Sequence, residues 1–359
     1  MNIDIFDNFY RGKKVLITGH TGFKGSWLSI WLHELGAEVV GIALDPYSEK
    51  DNYVLSGIGK KIKADIRADI RNGKKMKEIF AEYQPEIVFH LAAQPLVRLS
   101  YEKPVETYET NVMGTINVME AIRATNCVKV GVMITTDKCY DNKEQFQGYK
   151  ETDPFGGYDP YSSSKGACEI AIQSWRRSYF NPEDYGRKHT VSLASVRAGN
   201  VIGGGDWALD RIIPDCIRSI EAGKPIDIRS PKAVRPWEHV LEPLSGYMML
   251  AQKMWEHPTD YCEGWNFGPE QEAVSTVWDV ASELVKCFGH GELIDSSDPN
   301  AVHEAQLLML NITKAKTRLG WKPRLNSKRT IELVADWYKR YRAENVYDVC
   351  IDEIERFIK

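Results

Sequence analysis

Tyr161 and Lys165 are the two residues whose types and spacing most directly suggest catalysis. They are four positions apart, so on a helix they lie on the same face. A lysine ammonium beside a phenol favours the phenolate, which can remove a proton from a substrate hydroxyl group near neutral pH. The same spacing also arises by chance as a surface pair on many helices, and the two residues alone do not separate these interpretations.

A second polar group follows the apolar run from Val128 to Ile134, which is typical of a buried strand. It comprises Thr135, Thr136, Asp137 and Lys138, and such strand ends face the ligand crevice of an open α/β sheet. Asp137 could supply a proton if it is held in its acid form, and Lys138 could accept one if it is neutral. The alternative is that both residues cap the strand end as a solvated ion pair.

The stretch from Lys13 to Gly25 predicts the element that must organise these groups, a nucleotide site. A short apolar strand is followed by Gly19, Gly22 and Gly25, and apolar residues then recur at helical spacing from residue 26 to 35. Without Cβ atoms, the backbone N–H groups of this turn can approach a pyrophosphate at the positive end of a helix. Three glycines could also form a plain strand-to-helix turn.

Asp45 strengthens the nucleotide interpretation. It ends the next apolar run, twenty residues after Gly25, where a carboxylate can accept hydrogen bonds from both ribose hydroxyl groups. A carboxylate there would repel a 2′-phosphate, which favours NAD over NADP. Lys24 within the glycine loop favours NADP weakly, and we give Asp45 the greater weight. The positive nicotinamide ring of NAD would further favour a Tyr161 phenolate.

Composition excludes several other classes of protein. The 359 residues carry a net charge of −4, which gives no general attraction to nucleic acid or to an anionic membrane. Seven cysteines are dispersed without a Cys-x-x-Cys pair, and the eight histidines lack metal spacing, so we expect no metal site and a reducing, cytoplasmic location. No signal sequence or membrane-spanning run is found.

Alternating strand and helix patterns predict an α/β fold, a Rossmann-type doubly wound parallel sheet with a smaller, discontinuous C-terminal substrate lobe. We predict a nucleotide-binding domain over 1–198 and a lobe mainly over 199–359, and 236–268 either belongs to this lobe or returns to the first domain. One long helix is expected from Pro104 to about 124, a helix over 159–177 carries Tyr161 and Lys165, and the final helix is expected at 326–344.

In this order the motifs resemble the extended short-chain dehydrogenases that act on nucleotide-activated sugars. The resemblance runs nearly end to end and rests on Gly19-x-x-Gly22-x-x-Gly25, Asp45, Asp65-Ile66, His90-Leu-Ala-Ala93, Asn111, Thr136, Tyr161-x-x-x-Lys165 and Arg197. Within the family, Thr136-Asp137 is similar to the sugar 4,6-dehydratases. Lys138 stands where the dTDP- and GDP-sugar dehydratases have glutamate, and with residues 19–28 it resembles the branch that acts on CDP-glucose.

The resemblance implies an NAD-dependent conversion of CDP-glucose to its 4-keto-6-deoxy form. It implies catalytic roles for Thr136, Asp137, Lys138, Tyr161 and Lys165. The cofactor residues that it implies are Gly19, Thr21, Gly22, Phe23, Lys24, Gly25, Asp45, Asp65, Ile66, Leu91, Ala92, Ala93, Asn111, Thr135, Tyr161, Lys165 and Arg197. The substrate residues that it implies are Gln94, Thr136, Asn200, Arg211, Arg235, Asn266 and His303.

Two further expectations follow from the resemblance. A homodimer is expected, because related enzymes pair the helices at roughly 104–124 and 159–177 in a four-helix bundle. A nucleotide-sugar 4-epimerase or dehydrogenase on the same scaffold remains an alternative activity, and a protein that only senses NAD is a third, against which the intact Tyr161 and Lys165 argue.

Overall fold

A computed structural model describes residues 3–270, 275–297 and 307–359. The strands are β1 (Lys14–Thr18), β2 (Glu38–Ala43), β3 (Ala64–Arg67), β4 (Ile87–His90), β5 (Val130–Ile134), β6 (Ser192–Ala198), β7 (Asn200–Ile202), β8 (Ile226–Ile228), β9 (Val234–Arg235), β10 (Trp237–His239), β11 (Gly264–Phe267), β12 (Ser275–Thr276) and β13 (Leu293–Asp295).

The α-helices are α1 (Phe23–Glu34), α2 (Asn52–Ser56), α3 (Gly73–Tyr83), α4 (Val97–Glu102), α5 (Pro104–Tyr108), α6 (Gly114–Ala124), α7 (Pro160–Ser178), α8 (Ile212–Glu221), α9 (Leu241–Glu256), α10 (Val277–Phe288), α11 (Ser327–Arg340) and α12 (Val346–Ile358). Short 3₁₀ and π turns connect several of them. No helix in the described ranges is both long and apolar enough to cross a lipid bilayer.

The main sheet has the order β11-β6-β5-β4-β1-β2-β3, and all of its strand pairs are parallel. Its central strands are apolar on both faces because helices cover both faces. In β1, for example, Val15 and Ile17 join one hydrophobic cluster while Leu16 joins the other. The strand order reverses between β1 and β4, and ligands bind at the carboxyl ends of strands beside such a reversal. The predicted Rossmann-type α/β fold is confirmed.

The lobe is assembled from small strand pairs. They are β7 with β10, β9 with β12, and β8 with β13. The chain then returns to the main sheet, because β11 pairs with β6 in parallel, and α9 packs against β5 and β6. Because β7 follows β6 after a single residue, its partner β10 lies beyond the carboxyl end of β6.

Two expectations about helices were wrong. The expected single helix from Pro104 is divided by a π turn over Glu109–Met113, which separates α5 from α6. The expected final helix is followed by another helix, α12. Asn345 caps the start of α12, because its side chain accepts hydrogen bonds from two backbone N–H groups. The apolar face of α12 packs against α1 and α2, a contact distant in sequence that no local pattern reveals.

Candidate active site

The glycine loop between β1 and α1 is too tight for any side chain at two of its glycines. Gly19 has φ +79°, and a Cβ built there would lie 2.7 Å from the backbone nitrogen of Ala92. A Cβ at Gly25 would lie 2.1 Å from the carbonyl oxygen of Gly19. The first turn of α1 therefore stays bare of side chains on this side, which fits a dinucleotide pyrophosphate held by backbone N–H groups.

The loop after β4 packs against this turn. The Thr18 hydroxyl accepts a hydrogen bond from the backbone N–H of Ala92 at 3.2 Å and pairs with His90 Nδ1 at 2.7 Å. This places the predicted cofactor segment Leu91, Ala92 and Ala93 along the same crevice as Gly19. Phe23, the first residue of α1, packs against Gly203.

Asp45 lies just beyond β2 with its side chain 88% exposed, and Arg67 Nε donates to it at 3.1 Å. The Thr21 hydroxyl donates to the carbonyl oxygen of Leu44 at 3.0 Å and so ties the glycine loop to the end of β2. Asp45 is thus accessible to a ribose, with an arginine beside it that the sequence analysis did not anticipate.

Asp65 is occupied by protein donors. His20 Nε2 lies 2.7 Å from its Oδ1, and Tyr53 and Arg67 also donate to the carboxylate. Partial burial would raise the Asp65 pKa, but these three donors outweigh it and lower the pKa. Asp65 therefore fixes the glycine loop through His20, and its neighbour Ile66 packs against the hydrophobic cluster. The predicted direct cofactor contact of the Asp65 side chain is not favoured by this arrangement.

Lys24 points into the crevice. Its ammonium group interacts electrostatically with Lys165, Glu238, Arg211 and Asp137, and burial together with Lys165 lowers its pKa to about 8. It therefore does not face Asp45, where a 2′-phosphate would lie. This arrangement gives no support to the weak preference for NADP that Lys24 suggested in the sequence.

Thr136, Asp137 and Lys138 lie where β5 ends in a 3₁₀ turn, Asp137–Cys139. Asp137 is 1% exposed, and the Thr136 hydroxyl donates to its Oδ1 at 2.9 Å. Burial raises the pKa of Asp137 despite the opposing effects of Lys138, Thr136 and Arg235. This is the direction that an acid needs in order to hold its proton near neutral pH.

Tyr161 and Lys165 lie on α7, which Asp159 caps by accepting from the Ser162 N–H at 2.9 Å. Burial raises the Tyr161 pKa, although a hydrogen bond with the Thr136 hydroxyl lowers it. Burial also lowers the pKa of Lys165. The expected net lowering of the tyrosine pKa is therefore not found in the protein alone, and deprotonation needs further positive charge in the crevice. The Thr136 hydroxyl connects the phenol with the Asp137 carboxyl.

Two of the predicted substrate arginines also face this cluster. Arg211 interacts electrostatically with Tyr161 and is held by Asp206, whose Oδ2 lies 2.8 Å from its Nη1. Arg235 is buried and acts on Asp137. Asn200, at the start of β7, is half-buried on the same edge. These residues form one wall of a crevice whose other wall carries the glycine loop.

Arg197 and Thr135 belong instead to a buried network around Glu169. Arg197 donates to both carboxylate oxygens of Glu169 at 2.8 Å, and Ser195 donates to the same group at 2.7 Å. The Thr135 hydroxyl donates to Glu169 as well. These hydrogen bonds support the strand ends from behind, and the cofactor contacts of Arg197 and Thr135 stay a prediction.

Asn111 and Gln94 form a similar internal connection. Asn111 Oδ1 accepts from the Gln94 N–H at 2.8 Å, and its Nδ2 donates to Ser164 at 2.9 Å. The Gln94 amide donates to Thr107 at 2.9 Å and to the Leu96 carbonyl at 3.1 Å. Asn111 therefore connects the β4 loop with α7, and the cofactor contact of Asn111 and the substrate contact of Gln94 stay predictions.

The Asn266 side chain also makes hydrogen bonds within the protein. Its amide donates to the Tyr149 carbonyl at 2.8 Å and accepts from the Tyr140 hydroxyl at 2.8 Å. It holds the segment that follows Lys138 in place, and its contact with a substrate stays a prediction. The remaining predicted substrate residue, His303, lies outside the described residues.

Comparison with known proteins agrees with this architecture. Residues 16–334 match the sequence profile of the family described as GDP-mannose 4,6 dehydratase. The chain belongs to that family. It is 49% identical over 334 residues to a CDP-glucose 4,6-dehydratase of Salmonella typhimurium, covering 93% of this chain and 92% of the relative. It is 26% identical to a dTDP-glucose 4,6-dehydratase of the same organism, covering 90% and 92%.

Solved structures of similar fold include both dehydratases and epimerases. DesIV, a dTDP-glucose 4,6-dehydratase of Streptomyces venezuelae with NAD and TYD bound, has a TM-score of 0.78 at 19% identity, covering 92% of this chain and 99% of that one. A UDP-glucose 4-epimerase of Thermotoga maritima gives 0.75 at 23%, covering 92% and 99%. At these identities the likenesses show that the chain shares the fold of these proteins.

Sequence reasoning missed several polar residues at or behind this family's crevice. Glu169 lies within α7, and no local sequence pattern indicates that it is the centre of a hydrogen-bond network. Glu238 lies in β10 between Trp237 and His239, and both of these neighbours are buried. A charged residue inside such a short buried strand is a signal that could have identified Glu238. His20 and Asp65 were both visible in the sequence, but the hydrogen bond between them was not.

Proposed function

We propose that the chain is an NAD-dependent CDP-glucose 4,6-dehydratase, which converts CDP-D-glucose to CDP-4-keto-6-deoxy-D-glucose. The observation that favours it most is the buried Asp137, whose raised pKa suits an acid, beside Lys138 and the Tyr161–Lys165 pair. The 49% identical relative bears the same activity in its name. An epimerase would need no acid for a departing hydroxyl group.

The glycine loop would hold the pyrophosphate of NAD, and Asp45 would accept from the adenosine ribose. When bound, NAD supplies the group that takes hydride from C4 and returns it to C6. Tyr161 takes the proton of the C4 hydroxyl group, and Thr136 hydrogen bonds with the phenol and orients it. The positive charges of Lys165 and of the oxidised ring together offset the burial that raises the tyrosine pKa.

Loss of water follows once C4 is a ketone, because the ketone acidifies the proton on C5. Lys138 removes that proton, and Asp137 gives its own proton to the departing C6 hydroxyl group, which leaves as water. Lys138 then returns its proton to C5. Arg211 and Arg235, whose planar guanidinium groups match phosphate oxygens, hold the diphosphate of the substrate.

One incubation tests this proposal. Purified protein with CDP-glucose and a catalytic amount of NAD should give a product lighter by one water in mass spectrometry. A product of unchanged mass would indicate the epimerase instead. Stoichiometric NADH would indicate a dehydrogenase, and no product would leave a protein that only binds NAD.

We expect the protein to bind NAD more tightly than NADP by about tenfold or more, because Asp45 repels a 2′-phosphate. Asp45→Ala should narrow this ratio and leave Arg67 free to contact the phosphate. Lys24→Met is the matched control, because Lys24 faces the crevice and its loss should leave the ratio unchanged. Calorimetric titration of each protein with NAD and with NADP measures the ratio of the two affinities. Equal affinities in the wild type would refute the role of Asp45.

We also propose a homodimer formed through α5, α6 and α7. The Tyr108 hydroxyl bonds with Ser163, so α5 and α7 lie side by side. The outer face of α5 and of the π turn that follows it exposes Val105 by 70% and Met113 by 50%. These two side chains form an apolar stripe that a second copy would cover. Val105→Glu should shift the mass found by light scattering from dimer to monomer. Ile294→Glu, which alters an exposed residue of the lobe, should leave it unchanged. A wild-type monomer would contradict the proposal.

A further inference from the structure

Asp206 is a buried acid on the loop that follows β7, and the proposed reaction assigns it no chemical role. Its Oδ2 accepts a hydrogen bond from Arg211 Nη1 at 2.8 Å, and its Oδ1 accepts from the Ala208 N–H at 3.2 Å. The side chain of Asp206 is 7% exposed, and that of Arg211 is 33% exposed. A buried carboxylate is costly unless its charge and its oxygens have partners. The contact with Arg211 therefore accounts for the charge that the fold buries here.

Two helices that are distant in sequence hold the backbone of this loop. The Trp27 indole N–H of α1 donates to the Gly204 carbonyl at 2.9 Å. The Tyr338 hydroxyl group of α11 donates to the Asp206 carbonyl at 2.6 Å. The Trp207 ring packs edge-on against Tyr338, with the ring centroids 5.3 Å apart. The position of the Asp206 carboxylate is therefore set by contacts with the core of the protein.

The same loop lies beside the glycine loop of the crevice. Gly203, at its start, packs against the first residue of α1. Arg211, where the loop meets α8, interacts electrostatically with Tyr161 and with Lys24. Lys24 and Arg211 carry like charges and repel each other, and part of the Arg211 side chain is open to solvent. A fixed counter-charge is needed to keep the guanidinium group at the crevice, and Asp206 supplies it.

The contact with Asp206 leaves most of the Arg211 donors available. A guanidinium group has five N–H donors in one plane, and the bond to Asp206 is made by Nη1. Planar donors of this kind match the oxygens of a diphosphate. An arginine that is already fixed also loses less conformational entropy when an anion binds, which strengthens binding without a new contact.

We propose that Asp206 is the positioning residue that holds Arg211 ready for the diphosphate of the nucleotide sugar. The inference rests on the proposed function, in which Arg211 binds that diphosphate. Asp206 fixes the direction of the guanidinium group and balances its charge before the anion binds. It acts only through Arg211 and touches neither substrate nor cofactor.

The variant that tests this is Asp206→Asn, which keeps the shape of the side chain but removes its charge. The amide has one oxygen and one NH₂ group, so it cannot accept from Arg211 and from Ala208 in the way that the carboxylate does. We expect the affinity of the NAD-loaded protein for CDP to fall about five- to tenfold, the order expected when one long side chain must be immobilised on binding. The affinity for cytidine, which has no phosphate, should not change. NMR titration measures both affinities.

A second substitution separates positioning from a structural defect. Arg211→Met removes the guanidinium group and should itself weaken the binding of CDP. If Asp206 acts through Arg211, adding Asp206→Asn to Arg211→Met should cause no further loss. A structural defect would weaken CDP binding in both backgrounds and would weaken cytidine binding as well. Additive losses, or an unchanged CDP affinity in Arg211→Met, would overturn the inference.

Asp227→Asn is the matched control, because it removes the same charge from an exposed side chain of the lobe. Asp227 accepts a hydrogen bond from Ser296 at 2.9 Å, and its substitution should leave the affinity for CDP unchanged. An equal loss in Asp227→Asn and Asp206→Asn would show a general effect of charge and would also overturn the inference.

Thermal unfolding identifies any variant that fails to fold. If Asp206→Asn is one of them, Tyr338→Phe tests the same loop, because it removes the hydroxyl group that donates to the Asp206 carbonyl. The affinity for CDP should then fall while that for cytidine stays the same. If the wild type binds CDP but does not dehydrate CDP-glucose, the proposed function fails while the CDP titrations still test Asp206. An unchanged affinity for CDP in the folded Asp206 or Tyr338 variant would refute its positioning role.

Discussion

Lys138→Met should leave C4 oxidation intact while it slows removal of the C5 proton by about 10²–10⁴-fold, the usual effect of a lost general base. Methionine keeps the length and the apolar stem of the side chain but has no amine. Because the ketone forms and the next step stalls, NADH should accumulate on the enzyme. Absorbance of the cofactor after one equivalent of CDP-glucose, together with exchange of the C5 proton into deuterated water, measures both steps.

Two comparison variants sharpen this experiment. Tyr161→Phe should block hydride transfer itself, so the cofactor should stay oxidised with substrate present. Lys143→Met removes a lysine that is 72% exposed and pairs with Asp141 on the surface, and it should behave as wild type. If Lys138→Met eliminates water and exchanges C5 at the wild-type rate, then Lys138 only ends a strand and another base acts.

Glu169→Gln should destabilise the protein by about 3–5 kcal/mol, the typical effect of breaking a buried ion pair by removing one partner. Arg197 is 1% exposed and would keep a charge that no carboxylate balances. The hydroxyl groups of Thr135 and Ser195 would also lose a charged acceptor. The midpoint of urea unfolding, followed by circular dichroism, measures the loss.

The control for this prediction is Glu78→Gln on α3. Glu78 pairs with Lys75 at 3.6 Å, but both side chains are about half exposed, 51% and 47%. Water screens such a pair, so only a small change in stability is expected. Equal losses in the two variants would show that the Glu169 network contributes no more than a surface pair.

Local sequence identified those parts of the site that depend on backbone geometry or on helical spacing. Gly19 and Gly25 stand where no Cβ fits, and Tyr161 and Lys165 share the helix face that their spacing requires. Asp137 follows a buried strand and indeed lies at the crevice. In each case the physical constraint acts within a few residues of the chain, where a pattern can record it.

Local sequence could not predict the partners of polar side chains when those partners are distant in sequence. Only the fold reveals that Arg197 donates to Glu169 and that Asn266 accepts from Tyr140. Lys24, which suggested a weak preference for NADP, has Glu238 and Asp137 among its charged neighbours, and the sequence does not place them near the glycine loop.

The π turn at Glu109–Met113 sets the rotational phase of the whole α5–α6 segment. Each residue of an α-helix turns the chain by about 100°. The one additional residue of a π turn therefore changes the direction in which every later side chain of the helix points. Here Asn111 faces inward, where it braces the β4 loop against α7, while Met113 faces outward on the apolar stripe. Deleting a single residue from this turn would therefore rotate α6 relative to α5, so the inward brace and the outer stripe that Val105 begins could not both keep their present alignment.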